Sequence, residues 1–259
     1  MQKPNPSPGE LPQRAAAALT LLRERRPRVH CITNAVAQNF TANMLLAAGC
    51  TPSMTIAPEE VGAFVASADA LLVNLGTFDA ERRKAVEIAV ATATDNAIPW
   101  ALDPVLIDRS RPRAQFARGL IDCVPRVMRL NGAEFTVLSG RGDDAEAVAD
   151  YARGHGCVIA RSGETDFVSD GNRHAALANG HPLMAKVTAM GCAGSALIAA
   201  CLAVEPDAFT AAAAGLLLLG VAGELAAKEA KGPASFAVAI IDALYALNGG
   251  ALLERARVS

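Results

Sequence analysis

Uninterrupted apolar runs alternate along the chain with segments in which apolar residues recur every three or four positions. The runs 70–76 and 98–105 are apolar at nearly every position, as in strands that are buried on both faces. The predicted strands are 28–33, 53–57, 70–76, 98–105, 127–131 and 157–163, and helices are predicted among them over 14–26, 34–49, 58–68, 78–96, 132–140 and 143–156. A further helix is predicted between the basic stretch 108–115 and the strand 127–131. This alternation predicts βαβ units and a mainly parallel sheet covered by helices.

The C-terminal third follows a different pattern. Residues 166–180 form two short runs around Asp170-Gly171, which predicts a hairpin with this pair at its turn. Beyond the hairpin, apolar residues recur with the helical period, and helices are predicted over 193–204, 207–232 and 236–257. The chain is therefore expected to end in a region that is almost entirely helical.

Two segments are predicted to lack regular structure. One is the basic stretch 108–115, and the other is a flexible leader over 1–13 that is rich in proline and polar residues. The leader contains no apolar stretch, so we do not expect a signal peptide. No linker interrupts the rest, which predicts one α/β domain over 14–259 with a helix-rich C-terminal third.

Composition narrows the class of protein. Of the 259 residues, 52% are hydrophobic and only 4% are aromatic, and the net charge is −2 at pH 7. Because no basic stripe is present, we expect neither nucleic acid nor a membrane as a partner. The six cysteines form no CxxC pair and no zinc-type spacing, which is typical of reduced thiols and predicts a cytoplasmic protein.

The segment 187–204 carries no charged residue and reaches the length of a short membrane span. Its glycines and hydroxyl residues, and the lack of a basic flank on the far side, favour a helix buried in the protein core. A membrane span is the alternative interpretation.

The start of this segment, VTAMGCAGSA, is the first candidate for chemistry. A turn of small residues that enters a helix leaves backbone N–H groups unpaired, and the helix dipole adds positive charge there. Such a turn suits a phosphate or a developing oxyanion, with Cys192 at its mouth. The alternative is structural, since small residues and free cysteines also occur where a helix crosses a sheet.

Three charged residues lie near or just beyond the ends of predicted strands, where parallel sheets bind their ligands. Asp103 and Glu134 are carboxylates that together suit Mg²⁺ held through water molecules, and Arg129 suits a phosphate. Taken singly, each residue also fits a structural role: Asp103 as a cap, Glu134 as an acid in a first helical turn, and Arg129 as a surface residue. No Walker loop, strand-linked GxGxxG, HExxH or GxSxG motif is present.

Other polar residues in the same regions leave their roles open. His30 suits a catalytic acid or base, but a hydrogen-bonded histidine at a strand end is the favoured interpretation. Asn34 and Asn39 suit either a pocket lining or helix caps and turns. Lys186 suits phosphate steering or a solvated surface position.

Taken together, several segments resemble the hydroxyethylthiazole kinases, thiamine-salvage enzymes of the ribokinase-like superfamily. In the order and spacing of that family, the chain contains HCITNAVAQNFTANMLLAAGCTPSM, NLGT, LDPV, RLNGAEF, SGETDFVSDG, KVTAMGCAGSA and KGPASF. The resemblance extends from about Arg28 to about Leu247.

The resemblance implies a fold, a reaction and an assembly. The fold is a three-layer α/β/α ribokinase-like domain. The reaction is transfer of phosphate from ATP, with Mg²⁺, to the hydroxyethyl group of 4-methyl-5-(2-hydroxyethyl)thiazole. The assembly is a homotrimer with active sites at the subunit interfaces.

Roles carried over from the family begin with the helix mouth. Cys192 matches the catalytic residue beside the substrate hydroxyl, and Ala189, Met190, Gly191 and Cys192 match the anion hole. Met54 and Ala189 match residues that contact the substrate.

The nucleotide and metal positions follow in the same way. Arg129 and Ser162 match an ATP-binding arginine and threonine, and Asp103 and Glu134 match acids near the metal. A free thiol has a pKa of about 8.5, so Cys192 is expected either to orient the alcohol or to act as a modest base.

Three positions depart from the family pattern. Ala189, Leu106 and Leu130 stand where the family has glycine. All three lie around the phosphate and nucleotide region, and at Ala189 the added methyl group opposes a positive φ angle. They are expected to affect nucleotide fit more than the fold.

Two alternative functions remain open on the sequence alone. One is a related kinase for another small heterocyclic alcohol, such as a hydroxymethylpyrimidine or a pyridoxal-like compound. The other is a thiazole-binding protein without transfer activity, which the missing glycines motivate.

Overall fold

The computed structural model describes residues 8–259 as a sheet with helices on both faces. The strands are β1 (Arg28–Ile32), β2 (Thr51–Ser53), β3 (Ala70–Asn74), β4 (Trp100–Asp103), β5 (Val127–Asn131), β6 (Val158–Ser162), β7 (Asp166–Ser169) and β8 (His174–Leu177). The helices are α1 (Leu11–Arg25), α2 (Gln38–Ala47), α3 (Val61–Ala66), α4 (Ala80–Asp95), α5 (Arg111–Ile121), α6 (Gly132–Ser139), α7 (Ala145–His155), α8 (Met190–Leu202), α9 (Ala208–Glu229), α10 (Pro233–Ala246) and α11 (Gly249–Arg255).

The strand order in the sheet is β2-β1-β3-β4-β5-β6-β7-β8. All pairs from β2 to β6 are parallel, whereas β7 and β8 add an antiparallel hairpin at one edge. The four-residue turn between them contains Asp170 and Gly171, as predicted. The parallel strands all end at the same edge of the sheet, which is where ligands bind in such folds.

Two separate apolar cores lie on the two faces of the sheet. Alternate residues of β3 supply both, because successive side chains in a strand point to opposite faces. Leu72 packs with α1, α2 and α8 to α11, whereas Leu71 and Val73 pack with α3 to α7. The predicted three-layer α/β/α arrangement with a mainly parallel sheet is confirmed.

Helices α8 and α9 form the centre of one core. α8 is 13 residues long and nearly every one of its residues is buried, so the prediction of a core helix within 187–204 is confirmed. α9 is long and apolar enough to span a membrane, but 89% of its apolar window is buried inside the protein.

Three local predictions are wrong. The strand expected over 53–57 ends at Ser53. The basic stretch expected as a loop over 108–115 contains the start of α5, because Ser110 caps that helix at the N–H of Arg113 and Pro112 lies in its first turn. The last predicted helix, 236–257, is two helices, α10 and α11, that meet at an angle of 114°.

The predicted leader over 1–13 lies partly outside the described residues, which begin at Pro8. Pro8–Glu10 forms a short 3-10 helix and α1 begins at Leu11, which is only 1% exposed. The first helix therefore starts three residues earlier than the sequence pattern predicts.

Candidate active site

Polar side chains line the carboxyl edge of the sheet in the order of its strands. Asn34 follows β1, Asn74 ends β3 and Asp103 ends β4, directly beside Asn74 in the register. Arg129 lies near the end of β5 and Ser162 ends β6. The fold therefore brings together residues that are more than a hundred positions apart in the sequence.

The first turn of α8 closes over this edge. Ala189 is its N-cap, with left-handed backbone angles (φ 68°, ψ 0°) and no side-chain cap. The first helical hydrogen bond runs from the Ala193 N–H to the Ala189 carbonyl, at 2.9 Å. The N–H groups of residues 190–192 consequently have no acceptor within the helix, and the helix dipole favours an anion at this position.

Gly191 brings the arginine of β5 against this turn. A Cβ atom at Gly191 would lie 2.6 Å from Arg129 Nη1, so a side chain there would displace the guanidinium from this position. Arg129 forms no ion pair within 4.0 Å in the described part of the chain, and its Nε is buried without a partner. An unpaired guanidinium beside free N–H groups is a site for a phosphate.

Cys192 lies beneath the turn with its sulfur held by two amides. Asn34 Nδ2 donates to Sγ at 3.2 Å, and Asn74 Nδ2 donates at 3.3 Å. Burial, reinforced by the negative charge of Asp103, raises the pKa of the thiol to about 11. Cys192 therefore stays protonated at neutral pH, which favours an orienting role over the role of a base in the unliganded protein.

Asp103 is a fully buried carboxylate at the centre of the site. Its Oδ2 accepts from Asn74 Nδ2 at 2.7 Å and from Ser195 Oγ at 2.8 Å, whereas its Oδ1 is buried without a partner. Burial raises the pKa of Asp103, and the nearby Arg129 opposes that shift. The structure thus places Asp103 in the site rather than in a simple capping position.

Glu134 connects two loops at the same edge. Its Oε1 accepts from the Leu106 N–H and its Oε2 from the Asn131 N–H, each at 2.9 Å. Asn131 returns a hydrogen bond to the Glu134 N–H, which completes a capping box at the start of α6. Burial raises the pKa of Glu134. The structural role of an acid in a first helical turn is therefore present.

Asp103 and Glu134 offer carboxylate oxygens as possible metal ligands. Among residues 8–259, no three His, Cys, Asp or Glu side chains converge on one point. Mg²⁺, however, usually keeps several waters and takes one or two carboxylates together with substrate phosphates. The unpartnered Oδ1 of Asp103 and the neighbouring carboxylate of Glu134 fit that pattern of coordination.

The remaining predicted binding residues lie at the two ends of this edge. Ser162 is half-buried, and its hydroxyl donates to the Leu130 carbonyl at 3.4 Å. Met54 follows the edge strand β2 and is half-buried against the core. β2 lies two strands from β3, roughly 10 Å away at the usual strand spacing.

His30 is held by hydrogen bonds on both ring nitrogens. Nδ1 pairs with Ser53 Oγ at 2.8 Å and Nε2 with the Thr55 carbonyl at 3.1 Å. Burial lowers the pKa of His30 to about 4, so the ring is neutral at pH 7. The favoured interpretation of a structural histidine is confirmed.

Two other candidate residues are exposed, and one residue of the site was not predicted from the sequence. Asn39 is exposed and accepts from Asn43, and Lys186 is also exposed. Ser195, which binds Asp103, was not singled out from the sequence. Its position three residues after Cys192 places both on one face of a helix, and that spacing was the available signal.

A cavity in the described part of the chain lies away from these residues. It has a volume of about 570 Å³ and lies between α4 and α5, where Phe116 and Leu120 form part of its wall. None of the predicted site residues lines it.

Comparison with known proteins identifies the family of this chain. Residues 19–249 match the model of the hydroxyethylthiazole kinase family. The chain belongs to this family. The hydroxyethylthiazole kinase of Granulibacter bethesdensis is 46% identical over 260 residues, which cover 95% of each chain.

Solved structures give the same result for the fold. A hydroxyethylthiazole kinase protein from Pyrococcus horikoshii OT3 superposes with a TM-score of 0.92 at 36% identity, covering 95% of this chain and 98% of that one. A ribokinase-like superfamily protein from Enterococcus faecalis V583 superposes with a TM-score of 0.68 at 16% identity, covering 94% and 90%. The ribokinase-like fold expected from the sequence is confirmed.

The three residues that stand where glycine was expected differ in their backbone angles. Ala189 and Leu106 both adopt left-handed angles, with φ of 68° and 60°. Leu130 lies within β5, where its side chain is fully buried. Two of the three substitutions therefore place a side chain where the backbone favours glycine.

Replacing the two strained residues by glycine should stabilise the protein. We expect Ala189→Gly and Leu106→Gly each to raise the free energy of unfolding by about 0.5–1 kcal/mol, because relief of the left-handed strain exceeds the added entropy of the unfolded chain. Urea unfolding measures the change. Leu130→Gly is the matched control and should destabilise by more than about 2 kcal/mol, since it empties a packed position.

His30 should make the protein less stable in acid. Its pKa is about 4 in the folded chain against 6.5 for the free side chain, so between these values the unfolded chain binds a proton that the folded chain does not. Stability therefore rises with pH over this interval, by about 3 kcal/mol. Urea unfolding from pH 4 to 7 should show this contribution in the wild type and not in His30→Gln. Equal pH slopes for the two proteins would contradict it.

Proposed function

We propose that this chain transfers the terminal phosphate of ATP to the hydroxyethyl group of 4-methyl-5-(2-hydroxyethyl)thiazole. The observation that carries the proposal is the mouth of α8, where free N–H groups, the unpaired Arg129 guanidinium and the Cys192 thiol lie together in one helical turn and against it. Family membership supplies the class of acceptor. Thiamine salvage is the metabolic context that this reaction implies.

The residues of the site divide between the two substrates. Arg129 and Ser162, at the ends of β5 and β6, are proposed to bind ATP. Met54, beyond β2, and the N-cap Ala189 are proposed to contact the thiazole. The phosphate then passes between the two ends of the sheet edge, over β3 and β4.

Positioning and charge neutralisation provide most of the catalysis in phosphoryl transfer. The N–H groups of Met190, Gly191 and Cys192, with the Ala189 turn, are proposed to hold the oxygens of the transferring group, and Arg129 to neutralise them. These donors lie on a buried helix, so they need little reorganisation during the reaction.

Cys192 is proposed to orient the acceptor alcohol. Both amide donors use the sulfur as an acceptor, which leaves the S–H free to contact the substrate oxygen. The alcohol oxygen bonds to the terminal phosphorus while the bond from that phosphorus to the β-phosphate oxygen breaks, so that ADP leaves and the alcohol proton passes to a phosphate oxygen. The catalytic assignment rests on this placement and on the family match.

Mg²⁺ is the proposed cofactor, with Asp103 Oδ1 and the Glu134 carboxylate as the groups that hold it or its water shell. When bound, Mg²⁺ would supply positive charge that neutralises the phosphates. Asp103 Oδ2 accepts hydrogen bonds from Asn74 and Ser195, and these contacts hold the carboxylate in one orientation with Oδ1 left for the metal.

A direct assay tests the reaction. With ATP, Mg²⁺ and the thiazole alcohol, we expect formation of the thiazole phosphate and ADP, measured by coupled detection of ADP and by mass spectrometry. Cys192→Ala should lower kcat by about 100-fold, because the group that orients the acceptor is lost. Full turnover in that variant would remove the catalytic role of Cys192.

The same assay decides between the alternative functions. A hydroxymethylpyrimidine and a pyridoxal-like alcohol serve as competing acceptors, and preferential phosphorylation of either would replace the thiazole assignment. Calorimetric binding of the thiazole without binding of a non-hydrolysable ATP analogue would indicate a binding protein without transfer activity.

We further propose that the chain forms a cytoplasmic homotrimer with active sites between subunits. Apolar side chains are exposed near the thiazole end of the site, including Val36, two residues after Asn34, and Leu46 on α2. Tyr245 and Val238 extend this exposed surface along α10, which contacts α2. Exposed apolar surface of this kind is typical of subunit interfaces. The proposed partners include neither nucleic acid nor a membrane.

Light scattering tests the assembly. We expect three times the mass of one chain for the wild type, and dissociation with loss of activity in Tyr245→Glu combined with Val36→Asp, because charges would be buried at the interface. Val124→Glu is the matched control, since Val124 is exposed at the end of α5 in the other helical layer, and it should leave the mass unchanged. A monomeric wild type would exclude the trimer.

A further inference from the structure

Asn74 occupies a position between the catalytic thiol and the buried carboxylate. Its side chain is 1% exposed and lies at the end of β3, beside Asp103 in the register. Its Nδ2 donates to Asp103 Oδ2 at 2.7 Å and to Cys192 Sγ at 3.3 Å. An amide nitrogen carries two hydrogens, so this pair of contacts uses both of them.

Backbone contacts determine which way this amide points. Asn74 Oδ1 accepts from the Gly76 N–H at 3.0 Å, and a carbonyl oxygen is required there because the partner is a donor. Asn34 Nδ2 also donates to the same oxygen, at 3.1 Å. In the flipped amide, the NH2 group would face the Gly76 N–H, and both are hydrogen-bond donors. The nitrogen must therefore face the sulfur and the carboxylate.

The second amide supports the same orientation of the sulfur. Asn34 Oδ1 accepts from the Ala37 N–H at 3.0 Å, which turns its Nδ2 toward Cys192 Sγ. Because the sulfur accepts hydrogen bonds from two N–H donors, its own S–H hydrogen must be directed away from them. The Asn74 side chain is itself buried, so its effect on a substrate must pass through the groups it holds.

We propose that Asn74 is a positioning residue that holds the Cys192 sulfur in its reactive place relative to Asp103. It does so without contacting either substrate. The kinetic part of this inference rests on the proposed kinase function, whereas the geometric part does not.

Two substitutions test the proposal. Asn74→Leu keeps the approximate shape and removes both donors, and Asn74→Ser keeps one hydroxyl donor. We expect kcat to fall by about 100-fold in Asn74→Leu and by less in Asn74→Ser, with KM for both substrates nearly unchanged, because a misplaced group affects the reacting geometry rather than binding. Both are assayed at temperatures well below their melting midpoints.

A double-mutant cycle separates positioning from stability. If Asn74 acts through the thiol, Asn74→Leu should lower kcat by less than about threefold in a Cys192→Ala background. Asn179→Leu is the matched control, since Asn179 is also buried and bonded, to Glu224, Arg255 and Arg257. It should lower the melting temperature and leave kcat unchanged. An equal loss from Asn74→Leu with and without Cys192 would overturn the proposal.

Crystal structures give a readout that does not depend on activity. We expect one Cys192 rotamer, within hydrogen-bonding distance of both amides, in the wild type, and a shifted or divided sulfur position in Asn74→Leu. An unchanged, single sulfur position in the variant would overturn the proposal even if activity fell. A wild type that does not phosphorylate the thiazole alcohol would overturn the proposed function alone, because the sulfur geometry would still be testable.

Discussion

The arrangement of the site depends on one buried carboxylate. Asp103 has no exposure to solvent, and burying a charged group is costly unless hydrogen bonds compensate for it. Its partners come from β3 through Asn74 and from α8 through Ser195, so satisfying this single group ties a helix to the sheet. The same contacts determine where the first turn of α8 lies over the strand ends. The free N–H groups and Cys192 take their position from that attachment.

Two of the five described non-glycine residues with a positive φ angle lie at the same place. Ala189 and Leu106 both have left-handed backbone angles. This conformation costs a residue other than glycine roughly 1–2 kcal/mol. Each is flanked by contacts that stabilise the conformation: the Leu106 N–H is bound by Glu134, and Ala189 opens a buried helix. Strained residues that the surrounding structure holds in place are typical of functional sites. In this chain, the loops that face the phosphate region carry that strain.

The fold was largely predictable because its signals are periodic and local. Apolar runs such as 70–76 could belong only to strands buried on both faces, and the turn at Asp170-Gly171 has strong local preferences. Errors arose where a cap or a chain reversal competes with hydropathy. Ser110 starts a helix inside a basic stretch, and Asn248 starts another where the apolar pattern continues without a break. Such boundaries depend on single side chains rather than on a repeated pattern.

By itself, the sequence determined the class of fold, the helix mouth at 189–192 and the residue types available for chemistry, since these follow from hydrophobic period and short motifs. Only the tertiary structure decided that Asn34, Asn74 and Cys192 meet, because residues so distant in the chain are brought together by sheet register and helix packing. It also decided the protonation of the thiol. A free cysteine has a pKa of about 8.5, whereas burial beside Asp103 raises that of Cys192 to about 11. Burial and neighbouring charge belong to the folded chain, and no local sequence pattern contains them.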